Sequence, residues 1–181
     1  KGDEASRLAV SAAMELYGGA DHGEKTGDLL SRLFDGGQEQ LFRRQLELHC
    51  PGSMKTTLNL SLVQGERLLL GHVGDTRTYL FRDGVQLLRT RDHSVPQMLV
   101  LTGEIRENAI RHHPDRNRLL RVMGAEWDTP KYELEEEIAL LPGDALLMCT
   151  DGFWEWITER EMLRALKKAD SVQDWVALMD G

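Results

Sequence analysis

The residue pattern predicts an α+β layered domain with an antiparallel sheet at its core. Three observations carry this. Two segments of helical period open the chain, short period-2 segments joined by turn residues fill its middle, and helices return at its end. Elements that come in blocks, rather than in strand–helix alternation, favour segregated layers over a doubly wound parallel sheet.

The first helix is predicted over Asp3 to Tyr17. Ala5, Leu8, Ala9, Ala12, Ala13 and Leu16 share one stripe, and Gly18-Gly19 stops it. A polar loop follows to Gly27. Asp28 to His49 again has helical spacing, with Gly36-Gly37 interrupting it or splitting it in two. Pro51-Gly52-Ser53 breaks the pattern.

The period then drops to two. Leu58, Leu60 and Leu62 alternate with Asn59 and Ser61, as in a half-buried strand. Gly65 leads into Arg67–Val73, then Thr76–Arg82, the hairpin signal Asp83-Gly84, and Val85–Arg89. This run reads as an antiparallel meander. Pro96 to Leu101 predicts a short helix with proline in its first turn. Arg111 to Asn117 reads as an exposed loop. Tyr132–Ile138 and Asp144–Thr150 read as two strands joined through Pro142-Gly143. Thr158 to Ala169 is a helix whose Thr158 and Glu161 form a capping box, and Val172–Met179 begins another.

The chain has 181 residues, 41% apolar and 29% charged, which suits one domain over 1–181 with a sizeable core. The net charge of −8 argues against a nucleic-acid backbone as the main partner. There is no apolar run long enough to span a bilayer and no secretory leader pattern, so no membrane role is expected. Cys50 and Cys149 have neither zinc nor redox spacing, which points to a reducing, cytoplasmic compartment. The chain starts at Lys1, directly on a helical pattern, and reads as a piece of something longer.

The residues that carry chemistry are two aspartates. Asp75 and Asp151 each close an apolar strand, and each lies beside a glycine. Hard divalent cations prefer oxygen ligands, and short acids on strand ends can hold them rigidly. The pair therefore predicts a divalent-metal site built from two central strands. The same residues also fit two tight turns with Asx hydrogen bonds.

Other groups point elsewhere. His72 reads as a satisfied sheet residue, and His93, His112 and His113 as loop residues without helical zinc spacing. No nucleophile elbow, phosphate-binding loop or dinucleotide-binding glycine loop occurs, so no catalytic side chain is named. Arg116, Arg118 and Arg121 read as a solvated arm, with phosphate steering as the alternative. Trp154 and Trp156 read as packing a short turn against the core.

Several stretches together resemble the type 2C metal-dependent serine/threonine protein phosphatases. Gly71-His72-Val73-Gly74-Asp75-Thr76-Arg77-Thr78-Tyr79-Leu80 resembles that family's Val-Gly-Asp-Ser-Arg segment, with Thr76 in place of the usual serine. Asp83-Gly84 followed by Arg91-Asp92-His93-Ser94 resembles its Asp-His-Ser segment. His113 to Gly124 resembles a His-Pro-x-Arg-Asn stretch of bacterial members, and Leu141 to Gly152 resembles the strand ending in Ser-Asp-Gly. Lys1 to Ser6 resembles the residues just after the family's first glycine-rich motif. The match is ordered and spans nearly the whole chain. The residues after Asp151 resemble a bacterial subgroup associated with type VI secretion.

The resemblance implies two antiparallel β-sheets packed as a sandwich with helices on the outer faces. It implies hydrolysis of phosphoserine and phosphothreonine with Mg2+ or Mn2+ as cofactor, on a phosphorylated protein substrate with a cognate Ser/Thr kinase. By the same resemblance Asp151 would bind one of two paired ions and a third, and Asp75 would bind that third ion. The family's bridging aspartate, general-acid histidine and phosphate-binding arginine would precede Lys1, and its last ligand and final strand would follow Gly181. The expectation is thus a catalytic domain lacking its N-terminal and C-terminal strands, inactive alone. The alternative is a non-catalytic phosphatase-like regulatory or phosphoprotein-binding module.

Overall fold

A computed structural model describes residues 1–21 and 23–180. His22, inside the expected polar loop, and Gly181, half of the terminal Asp180-Gly181 pair, lie outside the described residues. In chain order the elements are α1 (Gly2–Gly18), α2 (Thr26–Glu47), β1 (Leu58–Gln64), β2 (Arg67–Val73), β3 (Arg77–Arg82) and β4 (Val85–Arg89). Then come α3 (Val95–Leu101), a 3-10 turn (Glu107–His112), β5 (Glu133–Leu134), β6 (Ile138–Ala139), β7 (Ala145–Cys149), α4 (Asp151–Trp154), α5 (Glu159–Leu166) and α6 (Val172–Asp180).

The strands form two antiparallel sheets. In the first, β1 pairs one side of β2, while β5 and β6 share the other side. The second has the order β4-β3-β7. Leu68 and Leu70 of β2 meet Leu80 of β3 in a core between the sheets. The alternate residues face outward onto helices. Leu69 joins Leu30, Leu33, Phe34 and Leu41 under α1 and α2, while Tyr79 and Phe81 pack beneath α5 and α6 with Trp154. Both faces of β2 and β3 are covered, which is why they read as unbroken apolar runs. Each buried Leu or Phe contributes about 1.5–3 kcal/mol. The sandwich with outer helices is therefore as expected.

The expected meander is corrected at one point. β2 and β3 are not hairpin partners; the chain leaves the first sheet through Gly74-Asp75-Thr76 and enters the second. Helix α2 runs unbroken through Gly36-Gly37. A Cβ at Gly36 would collide with Leu16, and one at Gly37 would lie 3.4 Å from the Ala9 carbonyl oxygen, so these glycines let two helices approach. The single strand expected over Tyr132–Ile138 is two. Its register on β2 slips by one residue between Leu134 and Ile138, a bulge that turns Glu136 and Glu137 to solvent. The Arg111–Asn117 loop begins inside the 3-10 turn, whose Ile110 is buried.

The capping box of α5 forms as expected: Glu161 N donates to Thr158 Oγ1, and Thr158 N donates to Glu161 Oε2. Trp156 does not pack as expected; it is 79% exposed, whereas Trp154 is buried. Among the described residues, no helix is long and apolar enough to cross a membrane.

Candidate metal centre

Two acid-bearing turns meet at one end of the second sheet. β3 pairs β7 with Arg77 opposite Cys149 and Thr78 opposite Met148. Continuing that register by two residues sets Asp75 opposite Asp151. The site is thus built around the start of β3 and the end of β7, rather than from two central strands. β7 is the edge of its sheet among the described residues, and Asp75 arrives from the other sheet.

Asp75 is 8% exposed. Burial, then the Asp151 carboxylate, then Asp92 push its carboxyl up to about 6. Among the neighbouring charges, the Asp151 carboxylate contributes most to that rise. Asp92 and Asp144 are each satisfied by a two-pronged arginine contact, but Asp75 has no such pair among the described residues. A buried acid beside a second acid, with no arginine or lysine ion-paired to it among the described residues, is an arrangement that a bound cation relieves. The donor set is oxygen, which fits Mg2+ or Mn2+ and not a thiolate-loving metal.

Asp151 opens α4 and is partly exposed. Gly152 N donates to its Oδ1 at 2.9 Å, leaving Oδ2 free of protein hydrogen bonds among the described residues. The local turn bond and a ligand role are therefore compatible in one side chain.

A buried scaffold fixes both turns. Trp154 Nε1 donates to the Asp75 backbone oxygen at 2.9 Å. The Arg77 guanidinium lies 3.5 Å from the Trp154 ring centroid. Arg77 also grips Asp92 through Nε (2.7 Å) and Nη2 (2.6 Å). Its Nη1 donates to Tyr79 Oη at 3.1 Å, and Tyr79 passes a 3.2 Å bond to Glu159 Oε1. Thr76, standing where the family motif has serine, bonds Thr57 through its hydroxyl at 2.8 Å.

The Gly74 side of the turn is held by a residue that sequence reasoning left in a loop. His93 N donates to Gly74 O at 2.8 Å, and Gly74 N donates to His93 Nδ1 at 3.1 Å. Burial and the adjacent His72 hold the His93 ring below the usual imidazole range, so it is neutral at pH 7. Glu133 lies at the ring's other nitrogen, 3.3 Å away. The Arg91-Asp92-His93-Ser94 stretch was the signal for these residues, but nothing in it says which backbone they hold.

The remaining groups are mostly structural. Arg116 pairs with Glu155 at 2.9 Å, and Arg121 Nη1 lies 3.5 Å from His93, so part of the expected solvated arm is anchored. His72 Nε2 donates to Arg91 O at 2.8 Å.

No protein-family model matches the chain. It is similar to the serine/threonine protein phosphatase PstP of Mycobacterium tuberculosis, 34% identical over 170 residues, which is 92% of this chain and 32% of PstP. The chain spans a third to a half of the length of the curated relatives it matches. Its structure aligns with the serine/threonine phosphatase Stp1 of Staphylococcus aureus at a TM-score of 0.88 and 26% identity, over 99% of this chain and 71% of that one. It also aligns with the PstP catalytic domain solved with two manganese ions, at a TM-score of 0.79 and 26% identity, over 98% of this chain and 73% of that one. Fold, motifs and relatives define a type 2C phosphatase-like scaffold. The chain belongs to the bacterial type 2C serine/threonine phosphatase family.

Proposed function

We propose that the full-length protein hydrolyses phosphoserine and phosphothreonine in proteins, with Mg2+ or Mn2+ held in part by Asp75 and Asp151. The observation that carries this reading is a buried Asp75, without an arginine or lysine ion pair among the described residues, lying two residues before the start of the β3–β7 pairing whose other strand runs into Asp151. The two manganese ions of the PstP catalytic domain support the choice of metal. Bound ions of this kind supply Lewis-acid activation of water and neutralise charge on a phosphoryl group.

The chain's own residues prepare the place. Asp75 and Asp151 offer oxygen donors, Trp154 ties their turns together, and the Arg77–Asp92 pair makes the floor rigid. Apart from its chain neighbours and helix backbone, the nearest atom to the place of a Cβ on Gly152 is Thr150 Oγ1 at 3.8 Å. Residues 1–181 form part of a single catalytic domain in this reading, supported by alignment of nearly the whole chain to one PstP domain. The partners would be phosphorylated proteins and the kinase that modifies them. The free thiols of Cys50 and Cys149 support a cytoplasmic location.

The test is manganese-dependent hydrolysis of p-nitrophenyl phosphate and of a phosphothreonine peptide by the full-length protein. Asp151→Asn should lower kcat/KM by at least about 100-fold, as loss of a metal ligand does. Undiminished activity in that variant would remove Asp151 from the site.

A further inference from the structure

We propose that His93 is a positioning residue for Asp75, acting through Gly74, whose N–H and C=O it holds in the two peptide groups on either side. This deepens the metal-centre reading and rests on it for the role of Asp75.

Gly74 has φ +103, and a Cβ there would collide with Thr57, so only glycine fits where the chain passes between sheets. The freedom that permits this turn also leaves the next residue unfixed unless something outside the turn holds it. His93 does so with two bonds, its own N–H to Gly74 O (2.8 Å) and its Nδ1 to the Gly74 N–H (3.1 Å).

The proton assignment follows from valence. A backbone N–H only donates, so His93 Nδ1 must carry a lone pair and the ring's proton must sit on Nε2. That N–H points at Glu133 Oε2, 3.3 Å away. Arg121 Nη1, 3.5 Å from the same nitrogen, is a second donor and adds charge rather than a bond. Glu133 stands opposite His72 in the β2–β5 register, and the His72 ring stacks on His93 at 4.7 Å and 15°. Leu120 N donates to His93 O at 2.8 Å. The imidazole is thus clamped by a stack, a carboxylate and its own backbone, and it passes that rigidity to Gly74.

His72, His93 and Glu133 also bring three ligand atoms within 4.8 Å of one another, and His72 Nδ1 has no partner among the described residues. A second metal ion does not fit these rings as they stand. An ion must lie close to each ring plane, about 2.0–2.1 Å from the nitrogen. Two nearly parallel stacked rings direct their lone pairs side by side, not to one point. His93 Nδ1 is moreover occupied by Gly74.

The test uses the full-length protein. Without added metal, nitrogen NMR of the wild type should show His93 protonated on Nε2 and bare on Nδ1; a proton on Nδ1 overturns the proposal. His93→Phe keeps a stacking ring but has no acceptor. His93→Asn places an amide oxygen near the Nδ1 position. Exchange of the Gly74 amide should be at least about tenfold faster in His93→Phe and return towards wild type in His93→Asn. Mn2+ affinity, measured by calorimetry, should fall roughly 10-fold or more in His93→Phe and recover in His93→Asn.

Unchanged exchange and affinity in His93→Phe, or no recovery in His93→Asn, overturns the assignment. Should His93→Phe not fold, His93→Asn and the wild-type ring tautomer decide it. Stoichiometric Zn2+ that shifts both histidine rings overturns it in favour of an ion site. A wild type that binds no Mn2+ removes the metal-centre reading, and with it the role claimed for His93 towards a ligand.

Discussion

The indole nitrogen of Trp154 donates to the backbone oxygen of Asp75 at 2.9 Å, across 79 positions of sequence. Asp151 begins the short helix that Trp154 ends, so this one bond couples the turns carrying both acids. The Arg77 guanidinium covers the same ring.

Trp154→Phe keeps most of the ring and removes the donor. The Asp75 carbonyl then loses its partner in a buried setting, at a cost of about 1–3 kcal/mol. Denaturant unfolding should show that loss, and Mn2+ titration should show weaker binding together with it. A variant with normal stability and normal affinity would mean that the coupling of the two turns is unimportant.

Asp75→Asn should act in opposite directions on stability and on metal binding. The wild-type carboxylate is buried next to Asp151 and is held uncomfortably in the absence of a cation. Replacing it with an uncharged amide should raise the stability of the metal-free protein by about 1–2 kcal/mol. Mn2+ should stabilise the wild type and do little for the variant. Thermal unfolding of both proteins, with chelator and with excess Mn2+, checks the crossing.

Much of this was legible in residue order. Period-2 spacing located β1, apolar runs and the Asp83-Gly84 hairpin signal located β2 to β4, and the Thr158–Glu161 capping box marked the start of α5. Strand-end acids beside glycines pointed to Asp75 and Asp151. Periodicity reports which face is buried but not which strand lies alongside, so the passage of the chain between sheets at Gly74 could not be read. Gly36 and Gly37 carry the ordinary signature of a break, and only the approach of α1 explains their place within a helix. His93 lay in a stretch without period and Glu133 in an expected strand, and their role depends on a backbone far away in sequence.

Acid sensitivity should appear in the pair Arg82–Asp144. Asp144 accepts from Arg82 Nε (2.8 Å) and Nη2 (2.7 Å) and from Leu141 N (2.9 Å). The Arg82 contact, opposed in part by burial, holds its carboxyl below the usual aspartate range. The folded state therefore binds this proton more weakly than the unfolded chain does. The stabilisation is present above the ordinary aspartate pKa, about 3.9, and is lost as pH falls through the lower folded value. Asp144→Asn should lower the unfolding temperature at pH 7, and the gap between the two proteins should narrow as pH falls below the ordinary aspartate range. A gap independent of pH would assign the effect to packing rather than charge.

The buried ion pair beneath the site should respond asymmetrically to substitution. Arg77 and Asp92 are 2% and 1% exposed in their side chains and meet at 2.6 Å. Asp92→Asn removes one charge and leaves the guanidinium buried, with only partial relief from Glu159 at 3.7 Å. Breaking such a pair costs about 3–5 kcal/mol. Removing both charges with Arg77→Met and Asp92→Leu should cost less than Asp92→Asn alone, because no uncompensated charge remains. The double variant should still bind Mn2+ more weakly than wild type, because the flat cation that covers Trp154 is gone. Denaturant midpoints for the single and double variants, with Mn2+ titrations of each, separate the stability effect from the effect on the site. Equal destabilisation by the two sets would show that packing, not charge pairing, makes this cluster important.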